Sequence, residues 1–353
     1  MSRMRPSPRR LSARPAPRTA VRGLSLIELM IAMMLGLLVV ASASAIFLSN
    51  RQTYRATEGL GRVQESGRMA FELMARDLRD AGGMPCGNAD RTEPMKLVNV
   101  LVNPAGQWWT NWNGGVIGYE GAAPLGNPAN RVPGTDAVDL MAGDSTSAVT
   151  VRSDNTAGAS IQLNTAAHDY QAGDLVVACD WQQASLFQVS GLGGADRLNH
   201  GLGGGFAPGN CSPGLGYRNP PDCSAPGRVH QYGPTLPDPN RAATVVRLHA
   251  ARWYVGTTPT GRSLFRSMVV NEGAGPVVRN QEIAEGVDNM QLQYLVAGAA
   301  NYVDATAVPA NSWSDVTAIR VALDVLSNDR AGVGGVQLTR RIAHTVTLRN
   351  RMQ

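Results

Sequence analysis

Between residues 29 and 48 the chain has no charged side chain, and its first 23 residues contain no acid. Those 23 residues do carry seven arginines (Arg3, Arg5, Arg9, Arg10, Arg14, Arg18 and Arg22). Removing the seven from the formal net charge of +5 leaves residues 24–353 at −2. The pI near 9.3 therefore belongs to the N-terminal segment. The rest of the chain lacks the electrostatic footprint of a nucleic-acid-binding surface. Proline is absent from Leu24 to Met84, so nothing of that kind interrupts a helix there. Cysteine is scarce: Cys86, Cys179, Cys211 and Cys223 are far apart, with no CxxC pair and no histidine at zinc-ligand spacing. An even, dispersed set suits disulfides formed in an oxidising compartment. Four cysteines allow three pairings. The expected one joins Cys211 to Cys223 across a short loop and Cys86 to Cys179.

Catalytic and cofactor signals are missing as well. Gly201–Phe206 (GLGGGF) has neither the Lys-Ser/Thr nor the following helix of a phosphate loop. Gly143–Ser147 (GDSTS) offers a serine with no base to serve it and reads as a turn. The five histidines are scattered, which argues against a metal site. Asp136, Asp139 and Asp144 lack EF-hand spacing and read as ordinary strand-edge carboxylates. No enzyme, cofactor or metal is expected.

What is present begins with an apolar run of about the 20 residues a membrane-spanning helix needs. Arginines before it outnumber Arg51 and Arg55 just after it, which predicts a cytoplasmic N-terminus and export of everything beyond about residue 50. A cleaved signal peptide (with ASASA, Ala41–Ala45, as its cleavage region) and a plain anchor both account for the run. Neither accounts for Glu28, whose carboxylate in hydrocarbon costs about 2.5–3.5 kcal/mol or more.

The residues GLSLIE, Gly23–Glu28, followed by the apolar run, resemble the class III leader of type IV pilins and type II secretion pseudopilins. That resemblance implies cleavage between Gly23 and Leu24 by a prepilin peptidase and N-methylation of Leu24. It also implies that Glu28 links to the N-terminal amine of a neighbouring subunit. A paired cation and its hydrogen bonds would make such a buried carboxylate tolerable.

Beyond the run, Ala56, Leu60, Val63, Gly67, Ala70, Met74 and Leu78 recur at spacings of three and four, one stripe of a helix. Glu58 with Arg62 and Glu72 with Arg76 stand at (i, i+4) on its polar side. The sequence DAGGMP stops the helix near residue 80. After residue 86, short strands alternate with Gly, Pro, Asn and Asp, as in an antiparallel sheet with one wet face. They fall near residues 137–142, 148–153, 174–181, 185–191, 243–256, 263–271, 289–298, 318–327 and 341–350. The layout is α+β: a leader at 1–23, a helix at 24–82 with its transmembrane part about 24–48, and a head at 83–353. A Gly/Pro-rich insert without periodicity occupies about 192–241. Trp108, Trp109 and Trp112 form a cluster that reads as packing before contact surface.

Glu285–Tyr294 (EGVDNMQLQY), Trp313, Val316–Ser327 and the terminal Thr345–Asn350 (TVTLRN) are similar to the C-terminal blocks of PilW-type minor pilins. The end of the helix (RDLRDAGGMPC) and the run from Gly173 (GDLVVACDW) are similar too. The resemblance implies a pilin-like subunit of the type IV pilus, working in a tip or priming complex. Its partners would be other minor pilins, the major pilin and the inner-membrane assembly platform. The head would face the periplasm or exterior. A type II secretion pseudopilin is the nearer alternative, and a released or anchored β-rich binding domain the more distant one.

Overall fold

The computed structural model describes residues 23–86, 97–103, 106–122, 125, 128–216, 223, 228–233, 242–327 and 336–351. The leader arginines and parts of the 192–241 insert lie outside these residues. The chain divides into two compact units, Met1–Tyr54 and Arg55–Gln353.

In the first unit the element is the N-terminal part of α1, a helix that runs from Leu26 to Asp80. Every described residue there is exposed, including Leu26, Ile31, Met34, Leu38 and Phe47. By length and composition it is apolar enough to cross a membrane.

In the second unit α1 continues to Asp80 and buries Gly59, Val63, Gly67, Ala70, Met74, Ala75 and Leu78 along one stripe, with Asp77 beside them. It stops where Gly82 takes a positive φ of 73° and donates its N–H to the Met141 carbonyl. Gly115 approaches so closely there that a Cβ on it would lie 2.6 Å from the Gly82 backbone. Of the two (i, i+4) pairs expected on this helix, Glu58–Arg62 forms at 2.7 Å. Glu72 instead meets Arg68 at 3.2 Å, and Arg76 lines a cavity beside Asp77.

Among the described residues fourteen strands follow: β1 (Leu97–Asn99), β2 (Val116–Tyr119), β3 (Ala137–Asn155), β4 (Ser160–Leu163), β5 (Leu175–Cys179), β6 (Ala184–Gln188), β7 (Gly191–Leu192), β8 (Arg197–Asn199), β9 (Thr244–Thr258), β10 (Gly261–Asn271), β11 (Pro276–Glu285), β12 (Val287–Val296), β13 (Val316–Leu326) and β14 (Thr339–Thr347). They form an eleven-stranded sheet with the path β1-β6-β5-β9-β3-β4-β8-β7, from which β2, β10 and β11 branch, and a smaller sheet β12-β13-β14. Pairing is antiparallel except between β1 and β6.

Three cores result. The first lies between α1, the small sheet and the β3–β9–β10 part of the large one, around Met74, Leu78, Val138, Trp253, Tyr294 and Ile319. The other two lie on opposite faces of β5, β6 and β9. Val176, Ala178 and Val245 turn to one, while Leu175, Val177 and Val246 turn to the other. The expectation of one wet face fails here: β5 and β6 are buried at every position, since a sheet covered on both sides has no solvent face.

The insert is not structureless. β7 and β8 open it, and Asn210 exchanges hydrogen bonds with the Gln188 backbone of β6. Trp109 and Trp112 are core residues and Trp108 packs at their edge, so the tryptophan cluster is packing.

Candidate assembly site

Gly23 and Leu24 lie just ahead of α1, and Leu24 is 73 % exposed. Ser25 starts the helix: its Oγ accepts the Glu28 N–H at 3.3 Å and its carbonyl accepts the Leu29 N–H at 3.1 Å. A serine in this position satisfies an orphan amide that the first turn would otherwise leave open. Glu28 sits in that first turn, where the helix dipole favours an anion. Its side chain is exposed and its carboxylate has no partner among the described residues. Farther along, the Ser42 hydroxyl donates to the Leu38 carbonyl at 2.8 Å, so this polar group is satisfied within its own helix. The segment thus presents an apolar cylinder with one unpaired carboxylate at its start.

In the second unit the helix end is anchored chiefly by Asp77. Its carboxylate accepts from Trp253 Nε1 at 2.8 Å and from an Arg266 Nη2 nitrogen at 2.7 Å, with His249 Nε2 at 3.5 Å. Arg266 in turn lies over the Trp253 ring, 5.7 Å from its centre. One acid of α1 therefore ties down β9 and β10 together. A cavity of about 500 Å³ opens beside it, lined by Arg76, Asp144, His249 and Met268 among others. From the other end of the chain, Arg351 donates to the Trp313 carbonyl at 2.5 Å, the Val316 carbonyl at 3.0 Å and the Gly114 carbonyl. Burial lowers its guanidinium to about 10, and Asp315 opposes the shift.

The cysteines are bridged Cys86–Cys179, with Cα atoms 5.9 Å apart, and Cys211–Cys223, at 5.0 Å. The first bridge fastens the chain just beyond α1 to the end of β5.

The three aspartates Asp136, Asp139 and Asp144 are each engaged separately. Asp139 forms a two-point pair with Arg252, at 2.5 and 2.7 Å, and accepts the Tyr119 hydroxyl at 2.9 Å. Burial pushes its carboxyl up and Arg252 pulls it back. Asp136 accepts the Leu292 N–H at 2.7 Å, and Asp144 caps its own turn through Thr146.

Sequence reasoning missed Asp77, Trp253, Arg266 and Arg351. The one local signal was an acid, Asp77, next to the apolar stripe position Leu78.

Residues 252–350 match the family model described as PilW, Type IV Pilus-assembly protein W. Comparison with curated proteins and with solved structures finds no match. The matched stretch spans the second half of β9, from Arg252, and all of β10 to β14, including Trp253 and Arg266, which grip α1. The match supports a part for this chain in type IV pilus assembly.

Proposed function

We propose that this chain is a minor pilin, an assembly subunit of the type IV pilus without catalytic activity. The observation that carries the reading is the union in one chain of a head whose C-terminal part matches PilW and a helix whose apolar first part is wholly exposed, with one carboxylate in its first turn. Prepilin peptidase cleaves between Gly23 and Leu24, the Leu24 amine is methylated, and Glu28 pairs with the corresponding amine of an adjacent subunit. Before assembly the segment spans the inner membrane with the N-terminus cytoplasmic and the head outside. Other minor pilins, the major pilin and the inner-membrane platform are the partners. A head of this size suits a few terminal positions, in a tip or priming complex, better than every step of a fibre.

N-terminal sequencing of the mature protein tests this. A start at Leu24 that disappears when Gly23 is substituted is the expected result; a start at Ser44 or Ile46 overturns it. Glu28→Ala is expected to leave processing intact and to block entry into filaments. Normal incorporation of that variant refutes the role given to Glu28.

A further inference from the structure

Two strands of the second unit stand at sheet edges and carry opposite charge. β14 pairs with β13 alone and β11 with β10 alone among the described residues. The register of β14 against β13 runs unbroken from Thr339 to Thr347, without the bulge that often blunts an edge, while that of β11 against β10 is regular from Pro276 to Glu282 and shifts once, between Glu282 and Ala284. An exposed regular edge offers a row of unpaired N–H and C=O groups to another strand.

Beside each edge, α1 forms the wall of a groove. At 3.6 residues per turn, Arg68 and Phe71 fall on one flank of the buried stripe, and Arg62, Ser66 and Met69 on the other. The groove along β14 has a volume of about 470 Å³ and is lined by Arg68, Phe71, Arg79, Arg340, Ile342 and His344 among others. Phe71 and His344 face each other at 4.5 Å and form its floor. Arg79 and Arg340 have no ion pair among the described residues, so this groove is basic. The groove along β11, about 390 Å³, includes Glu65, Met69, Ile283 and Glu285. Arg62 is neutralised there by Glu58, and Arg279 on β11 is taken up by Glu272. Glu282 and Glu285 then leave the second half of β11 acidic.

From this arrangement we infer that the β14 edge of one molecule docks the β11 edge of a second copy. Two β14 edges brought together oppose arginines, and two β11 edges oppose glutamates; β14 on β11 alone matches the signs. Like charges across a strand pair are destabilising and opposite charges are not, so the pattern selects one pairing and rejects two. Because the two surfaces differ, the contact is heterologous: β14 of one head faces β11 of the next, and the rotation between the heads decides whether the set closes. The inference does not depend on leader processing or on Glu28.

The test is sedimentation equilibrium of the full chain in detergent micelles, with two charge-reversed variants. One carries Arg79→Glu and Arg340→Glu, the other Glu282→Arg and Glu285→Arg. Wild type is expected to self-associate, and each variant alone to lose at least about tenfold in association constant. An equimolar mixture of the two variants, whose edges are again complementary, is expected to recover association. The recovery also shows that both variants are folded. A wild type that stays monomeric, a variant that associates as wild type does, or a mixture that fails to recover overturns the inference. Association through the apolar part of α1 survives both reversals and so counts among the overturning results.

Discussion

Asp77 is a buried acid on a helix face otherwise made of small and aliphatic side chains. Removing it leaves the Trp253 N–H and the Arg266 guanidinium without their acceptor. An uncompensated buried donor costs about 1–3 kcal/mol and a broken buried pair about 3–5 kcal/mol. With Arg266 still 18 % exposed, Asp77→Ala is expected to destabilise the head by about 3 kcal/mol. Denaturant unfolding of the variant beside wild type measures it.

Asp136 differs in sign. Burial lifts its carboxyl to about 6, with Glu120 pushing the same way against the Leu292 N–H and Arg131. A carboxyl raised in the folded state favours folding most when protonated. That contribution is complete below its ordinary value of 3.8 and is lost as pH rises through about 6. About two units at 1.36 kcal/mol each make the loss about 3 kcal/mol. Unfolding curves from pH 4 to 7 are expected to show that slope in wild type and its absence in Asp136→Asn.

At the scale of elements, much was legible. The stop at Gly82, Gly83 and Pro85, the stripe from Val63 to Leu78, and the apolar runs that become β9, β10, β12 and β13 are local signals, and the structure follows them; the wet face expected of each strand is missing from β9, which is buried on both sides. β11 was not legible: it opens with Pro276 and continues through Arg279, Asn280 and Gln281. As an edge strand it needs neither a donor at its first residue nor an apolar second face. The partner of Glu72 was misjudged because two (i, i+4) arginines, Arg68 and Arg76, flank it, and a preference worth only about 0.2–0.5 kcal/mol does not choose firmly between them. The pairs Asp77–Arg266 and Asp139–Arg252 join residues 189 and 113 positions apart, which no local pattern reveals. The same distance in sequence sets the value of the bridges. Closing 93 residues through Cys86–Cys179 is worth roughly 4.5 kcal/mol and closing 12 through Cys211–Cys223 roughly 3 kcal/mol on loop entropy. Paired Cys→Ser variants are expected to rank in that order in denaturant midpoint.

For the whole molecule, the division of charge supplies a readout. The full chain is basic through its first 23 residues, while residues 24–353 carry −2. The cleavage proposed after Gly23 is therefore expected to move the protein from a pI near 9.3 to an acidic one on isoelectric focusing. A membrane-bound form that keeps the basic position speaks against cleavage there.

The bridge at Cys86 has one more consequence, a mechanical one. It lies six residues past the end of α1 and holds the chain to the central strand β5. A pull along the helix is borne first by noncovalent grips, Asp77 on Trp253 and Arg266. If those yield, the load passes through a few residues of backbone to a sulfur–sulfur bond at β5. The last turns of α1 can then peel from the head without the head being lost, so detachment of the helix end and unfolding of the sheet become separate events at separate forces.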